Sequence, residues 1–106
     1  MARALINVPK AAKRGEVIEI RALISHPMES GFRPDESGKL VPRSIIKTFS
    51  CAYNGEEIFR ADFFPAVAAN PFVSFTTLAS VSGTLSFRWV SDTGETKTET
   101  RPITVE

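Results

Sequence analysis

The chain has 106 residues, of which 42% are hydrophobic, and it carries 13 Lys and Arg against 12 Asp and Glu. This length predicts one domain over residues 1–106 with a core that needs no disulfide, and the single cysteine allows none within the chain. A net charge of +1 excludes the basic field that drives non-specific nucleic-acid binding. No apolar run reaches the length of a membrane span, so we expect neither nucleic acid nor a membrane among the partners.

Apolar residues recur with a period of two, which is typical of strands, and no helical period is sustained. Residues 4–8 form the first candidate strand, a turn follows over residues 10–15, and the longest alternation covers residues 16–25. Pro27 then ends that strand. The next connector, residues 26–43, is long for a small β domain.

Residues 45–53 alternate again and lead to Asn54 and Gly55, which tolerate the positive φ angles of a type I′ hairpin turn. A two-residue turn sets the register of both strands, and opposite charges then meet across them. The predicted facing pairs are Tyr53 with Glu56, Cys51 with Ile58, and Lys47 with Asp62.

Three further strands are predicted over residues 72–79, 84–91 and 96–105, with turns at residues 82–83 and 92–94. In the second of them one face is clearly apolar and is expected to line the core. Its residues are Leu85, Phe87 and Trp89. About seven short strands without a helix predict an all-β fold, an immunoglobulin-like antiparallel β-sandwich.

The connector over residues 26–43 opens with the only histidine, His26, and displays Met28 and Phe32 among prolines and a glycine. Large apolar side chains are rare in a solvated connector, so we interpret it as a loop that contacts a partner. Met28 and Phe32 are expected to make apolar contacts, and Arg33 and Arg43 to orient acidic partner groups. The role expected of His26 is hydrogen bonding.

A second connector, residues 65–72, has almost no polar group, which is compatible equally with packing and with partner contact. The aromatic residues around it could pack in the core or line a ligand pocket, and core packing is favoured. They are Phe63, Phe64, Phe72 and Phe75. The two connectors together supply the residues predicted to bind a partner: His26, Pro27, Met28, Glu29, Phe32, Arg33, Arg43, Ala69, Asn70, Pro71 and Phe72.

Catalytic or metal chemistry is hard to assemble from this sequence. His26 could act as a base toward Ser25, Ser30 or Cys51, but no nucleophile motif surrounds them. One His and one Cys leave a metal site short of ligands. Cys51 is expected to be buried and inert, with an interchain disulfide or a redox-sensitive thiol as the alternative. We therefore predict no catalytic residue, no metal and no cofactor.

Five short motifs, taken in their order and spacing, resemble the SoxZ family, a subunit of bacterial sulfur oxidation systems. They read HPMESGFR at residues 26–33, VPR at 41–43, YNGE at 53–56, ANPF at 69–72 and WVSDTG at 89–94. Each motif is weak alone, but together they span nearly the whole chain.

The resemblance implies a noncatalytic subunit that pairs with SoxY, whose flexible C-terminal arm holds sulfur intermediates of thiosulfate oxidation on a cysteine. Other Sox enzymes, namely a c-type cytochrome complex, a sulfate-releasing hydrolase and a sulfur dehydrogenase, then act on the loaded arm. It also implies a periplasmic location reached by export with the signal-bearing partner, because this sequence shows no signal peptide; read alone, the sequence would indicate the cytoplasm. In isolation we expect the chain to self-associate through its apolar surface.

Two other function classes stay open. Superoxide reductases have an immunoglobulin-like iron domain and a similar His-Pro-Met motif, but they ligate iron with four His and one Cys, whereas this chain has only His26. The other class is a β-sandwich module that binds an unrelated protein or a carbohydrate. The sequence shows no solvent-facing aromatic platform of the kind a sugar needs.

Overall fold

The computed structural model describes residues 3–64 and 67–106. Regular structure in these residues is entirely β, and none of them forms a helix with the length and apolarity needed to cross a membrane. The strands are β1 (Ala4–Asn7), β2 (Ala11–Ala12), β3 (Val17–Ile24), β4 (Ile46–Tyr53), β5 (Glu56–Asp62), β6 (Phe72–Leu78), β7 (Gly83–Ser91) and β8 (Thr96–Val105).

The strands form two sheets that pack face to face. One sheet has the order β1-β3-β6, and the other has the order β2-β8-β7-β4-β5. Phe75 of the first sheet packs against Phe49 and Phe59 of the second, with ring centroids 6.2 and 4.2 Å apart. The predicted all-β sandwich is therefore confirmed, with one strand more than expected. The additional strand is β2, which pairs in parallel with the end of β8 and is too short to leave a sequence pattern.

The core lies between the sheets and follows the period of two in the sequence. Ile18, Ile20, Ala22 and Ile24 of β3 all point inward, and the exposed, charged Glu19 and Arg21 between them point outward. The face of β7 that was predicted to line the core is confirmed as buried. Each large side chain buried in this way contributes roughly 1.5–3 kcal/mol to folding.

The hairpin between β4 and β5 turns where the sequence predicts. Asn54 and Gly55 have φ angles of 49° and 85°, as a type I′ turn requires. Tyr53 and Glu56 face each other across the turn. The turn is thus determined by its own two residues.

The other two facing pairs predicted for this hairpin are wrong. A bulge between Cys51 and Ala52 shifts the register of the pair, so that Cys51 faces Phe59 and not Ile58. Asp62 consequently faces Thr48 and not Lys47. The physical reason is packing between the sheets, because the shift lets the ring of Phe59 stack on that of Phe75.

Candidate partner-binding surface

The long connector between β3 and β4 is folded as a narrow β-hairpin, which we call the finger (residues 29–44). At its base the backbones of Glu29 and Ser44 exchange two hydrogen bonds of 2.8 Å. Nearer the tip, the Val41 N–H donates to the carbonyl of Arg33 at 2.8 Å. At the tip, one carboxylate oxygen of Asp35 accepts from three groups, which are the Ser37 N–H, the Ser37 hydroxyl and the Lys39 N–H.

The finger extends the molecule along its long axis. The molecule measures 58 × 20 × 19 Å. A strand of ten residues, the longest in the sandwich, spans only about 33 Å. A hairpin about eight residues from base to tip adds roughly 26 Å, which accounts for the difference. All side chains from Phe32 to Leu40 are exposed, as expected of a projecting element.

One face of the finger is entirely apolar. Pro34 and Leu40 form a bridge in which their side chains lie directly opposite each other on the same face. Gly31 lies opposite Arg43, since a Cβ on that glycine would approach the Arg43 Cβ to 3.2 Å. Phe32 follows Gly31 and Pro42 precedes Arg43, so Phe32 and Pro42 form the next opposite pair toward the tip. The four side chains of this apolar face are Phe32, Pro34, Leu40 and Pro42, all of them exposed, with Phe32 at 80% and Leu40 at 62%.

Met28 anchors the base of the finger in the core and does not belong to the exposed surface. Its side chain is only 6% exposed, and its sulfur accepts a hydrogen bond of 3.2 Å from the Ile46 N–H. The contact of Met28 with a partner stays a prediction, and its side chain is buried in this chain. Its φ angle of 53° turns the chain at this point, so that the side chain points inward while the finger leaves the sandwich. Phe32 does lie at the surface, as expected.

The arginines of the finger are already paired within the chain. Two nitrogens of Arg33 donate to the Glu29 carboxylate at 2.6 and 3.0 Å, and this hydrogen bonding lowers the pKa of Glu29. Arg43 donates to Asp92 at 2.9 Å, and the other Asp92 oxygen accepts from the Ile45 N–H at 3.1 Å. These bonds tie the finger to itself and to the β7–β8 turn. The proposed contact of Arg33 and Arg43 with acidic partner groups would have to compete with them.

His26 holds the two apolar connectors together. Its backbone N–H donates to the Asn70 side-chain oxygen at 2.9 Å, and the Asn70 N–H donates to the His26 carbonyl at 2.7 Å. Its ring Nδ1 accepts from the Met28 N–H at 3.0 Å, which requires an unprotonated Nδ1. Burial lowers the pKa of His26, and the negative charges of Glu95 and Asp92 raise it by a smaller amount. The side chain thus hydrogen-bonds within the chain, as a neutral positioning group beside the exposed Pro27.

The second connector contributes unequally to the surface. Ala69 and Asn70 are exposed, whereas Pro71 is buried in this chain, and its contact with a partner stays a prediction. Pro65 and Ala66 lie outside the described residues. Of the four aromatic residues predicted to favour the core, only two are placed there, while Phe64 and Phe72 are 67% and 57% exposed. The two that pack inward are Phe63 and Phe75.

An apolar row crosses the outer face of the three-stranded sheet at the end that carries the finger. Leu5 of β1 faces Leu23 of β3, which faces Phe72 of β6. Leu5 is 58% exposed and lines a shallow cleft together with its two neighbours. The sequence interpretation did not single out Leu5, Leu23 or the finger residues Pro34, Leu40 and Pro42. The spacing of two between the finger residues was a signal available in the sequence.

Cys51 has no access to solvent. Its side chain is fully buried in β4, and burial raises the pKa of its thiol to about 12. The expectation of a buried thiol is confirmed. In this state the thiol lacks both the charge and the exposure that a nucleophile or an interchain disulfide needs.

Metal ligands do not converge anywhere in residues 3–64 and 67–106, where no group of three or more His, Cys, Asp or Glu side chains could hold an ion. With His26 as its one histidine, the chain lacks the four-His donor set expected of a superoxide reductase. The candidate site consists of the apolar face of the finger and the apolar row beside it.

Comparison with known proteins gives one family match. The family model described as "Sulphur oxidation protein SoxZ" matches residues 6–102. No curated protein sequence matches the chain.

Several solved structures share the fold, and two of them represent two different kinds of protein. A superoxide reductase (neelaredoxin) from Ignicoccus hospitalis is 19% identical, with a TM-score of 0.75 over 99% of this chain and 82% of its own. The sulfur carrier protein SoxY from Chlorobium limicola f thiosulfatophilum is 16% identical, with a TM-score of 0.69 over 97% of this chain and 78% of its own. At these identities the likeness concerns the fold alone.

Proposed function

The chain belongs to the SoxZ family of sulfur oxidation proteins, and we propose that it is the noncatalytic subunit of a sulfur-compound carrier. In this proposal it pairs with a SoxY-type subunit, which holds the sulfur intermediates of thiosulfate oxidation on its own cysteine. The other Sox enzymes act on that loaded cysteine and touch this chain only transiently. The complex works in the periplasm and is exported through the signal of the SoxY-type subunit.

The observation that carries the proposal is the state of the only thiol. A covalent sulfur carrier needs an accessible thiolate, whereas Cys51 is fully buried and the pKa of its thiol is about 12. A member of this family with such a thiol contributes to the carrier as a binding subunit. Replacing Cys51 by Ser should accordingly leave thiosulfate-dependent turnover of the reconstituted system nearly intact, and loss of turnover with fold and heterodimer preserved would contradict the proposal.

The apolar face of the finger is the surface that we assign to the SoxY-type subunit. An exposed aromatic and aliphatic cluster on a rigid hairpin is the kind of anchor from which interfaces draw most of their binding energy. Internal hydrogen bonds and the buried Met28 fix the finger before binding, so little conformational entropy is lost on association. Phe32 and Leu40 are its largest exposed side chains.

The test is binding of a purified SoxY-type subunit to the full chain, measured by calorimetry and by size-exclusion chromatography. We expect a 1:1 heterodimer with the wild-type chain and at least a tenfold loss of affinity for Phe32→Ser with Leu40→Ser. Val81→Ser removes another exposed apolar side chain outside the finger and should bind like wild type. A finger variant with undiminished affinity would refute the assigned surface, and a wild-type chain that ignores the SoxY-type subunit would refute the pairing itself.

The location has its own test in cell fractionation. Co-expression with a SoxY-type subunit that carries its signal should place the chain in the periplasmic fraction. Deleting that signal should return both proteins to the cytoplasm. A chain that reaches the periplasm without the partner would contradict joint export.

A further inference from the structure

Strand β6 is an edge strand without the usual protection against pairing. It is the last strand of the three-stranded sheet and pairs, within the described residues, only with β3. Its sequence, FVSFTTL, has no charge and no proline over seven residues. Such a strand is a template for a further strand.

The other edges of the sandwich carry protective features. Strand β1 has only four residues, and β5 carries three carboxylates and one arginine. The part of β8 that β2 leaves uncovered contains Pro102 and alternating charges. Short length, charge and proline are the devices by which edge strands avoid pairing. Strand β6 has none of them.

The free backbone groups of β6 follow from its pairing with β3. The Ala79 N–H donates to the Glu16 carbonyl at 2.8 Å, and the Ile24 N–H donates to the Pro71 carbonyl at 3.2 Å. Backbone groups alternate sides along a strand, so the odd-numbered residues of β6 bond to β3. The even-numbered residues direct their N–H and C=O groups to the open edge. They are Phe72, Ser74, Thr76 and Leu78, and all four side chains are exposed.

This strand is complementary to its own reverse. In an antiparallel pair centred on Phe75, Phe72 faces Leu78 of the other copy and Ser74 faces its Thr76. Apolar groups then meet apolar groups, and hydroxyls meet hydroxyls, on both sides of the two-fold axis. Opposite pairs of these kinds stabilise an antiparallel ladder. Self-complementarity is the property that a two-fold interface between identical chains requires.

We propose that β6 pairs with β6 of a second copy of this chain, and that the two three-stranded sheets join into one sheet of six strands. The even-numbered residues of the two strands supply up to eight backbone hydrogen bonds. The paired strands are only about 24 Å long, so the interface belongs to the small class below roughly 1,200 Å². The dimer is therefore weak and depends on concentration. This inference does not rest on the proposed function.

Salt strengthens this dimer. Strand β5 lies on the same side of the sandwich as β6, because Phe59 stacks on Phe75 with ring centroids 4.2 Å apart. Dimerisation brings two copies of β5 near each other. Each copy carries three carboxylates and one arginine, namely Glu56, Glu57, Asp62 and Arg60, so the two negatively charged strands repel each other. Screening of this repulsion favours association. An association driven by opposite charges would respond to salt in the reverse direction.

Paired charges test both the contact and its register. Ser74→Lys with Thr76→Lys places lysines opposite each other, and Ser74→Asp with Thr76→Asp does the same with carboxylates. Each variant alone should dimerise at least tenfold more weakly than wild type. Their mixture should form heterodimers, since every lysine then faces an aspartate. Thr98→Lys with Thr100→Lys makes the same charge change on exposed positions of β8 and should leave dimerisation unchanged.

Sedimentation equilibrium of the full chain over roughly 5 to 500 μM supplies the measurement, with thermal melts to show that each variant is folded. A wild-type chain that stays monomeric over this range would overturn the proposal. So would variants that associate as strongly as wild type, or a mixture that fails to restore the dimer. If the wild-type chain is monomeric and the lysine variant no longer binds the SoxY-type subunit, then the edge of β6 contacts that subunit. In that case the proposed pairing of β6 with a second copy of the chain is refuted.

Discussion

Alkylation of Cys51 tests directly whether the only thiol of this chain can take part in chemistry. Burial raises its pKa to about 12, so at pH 8 about one molecule in ten thousand carries a thiolate, against roughly a quarter for a cysteine with a pKa near 8.5. This lowers the reactive population by a factor of about 2,400. The more basic thiolate is intrinsically more nucleophilic, which restores about 1.6 of these 3.4 logarithmic units. The chemistry alone therefore predicts alkylation about 60-fold slower than for an ordinary cysteine, and the fully buried side chain slows it further.

The assay is the rate of iodoacetamide addition at pH 8, followed by mass spectrometry of the intact protein. A Thr98→Cys variant supplies an exposed thiol on β8 in the same molecule, so both rates are measured under identical conditions. The thiol at position 98 should react at the rate of a free cysteine, and Cys51 should remain unmodified until the chain is unfolded in urea. A native Cys51 that reacts within fivefold of the exposed thiol would refute the reasoning and would reopen the question of a direct role for this thiol.

Substitutions at three further positions, Met28, His26 and Gly83, test the packing around the finger and the β4–β5 hairpin. Met28→Ala should lower the free energy of unfolding by about 2–5 kcal/mol in urea titrations because it opens a cavity under the finger, and Met28→Leu, which fills most of that space, should lower it by less. Both variants lose the sulfur that accepts from the Ile46 N–H, so the difference between them reports the cavity. His26→Asn keeps an acceptor for the Met28 N–H but does not titrate. Because folding lowers the pKa of His26, the unfolded wild-type chain binds more protons than the folded one. The free energy of unfolding of the wild type should therefore fall more than that of the variant as the pH drops from 7.5 to 5. A stability difference that does not change with pH would contradict this role. Gly83→Ala should cost about 1–3 kcal/mol, since its Cβ would lie 1.8 Å from the Asn54 side-chain oxygen and break the bond to the Thr84 N–H, and the cost should largely vanish in an Asn54→Gly background.

Sequence reasoning succeeds where a local rule decides the structure. The alternation of β3 and β7 predicts which side chains are buried, because the side chains of a strand point alternately to its two faces. The turn at Asn54 follows an equally local rule, since Asn and Gly at its two central positions tolerate the positive φ angles that it requires. The resemblance to SoxZ is confirmed by the family match over residues 6–102.

Sequence reasoning fails where distant residues compete for the same space. The bulge that follows Cys51 arises because Phe59 packs on Phe75 of the opposite sheet. The inward turn of Met28 depends on the space beside Ile46, which belongs to another strand. Neither contact has a signature within a few residues of the chain.

The sequence by itself determined the strands, the hairpin turn and the family, because each is written in neighbouring residues or in the order of short motifs. Only the tertiary structure decided what the surface offers to a partner. It buried Met28 beside Ile46, engaged Arg43 with Asp92, and brought Phe32 and Leu40 onto one face of a finger. It also placed β6 at the edge of its sheet, where the described residues pair with it on one side only. These outcomes depend on strand pairing and on competition for the core, which bring together residues that lie far apart in the chain.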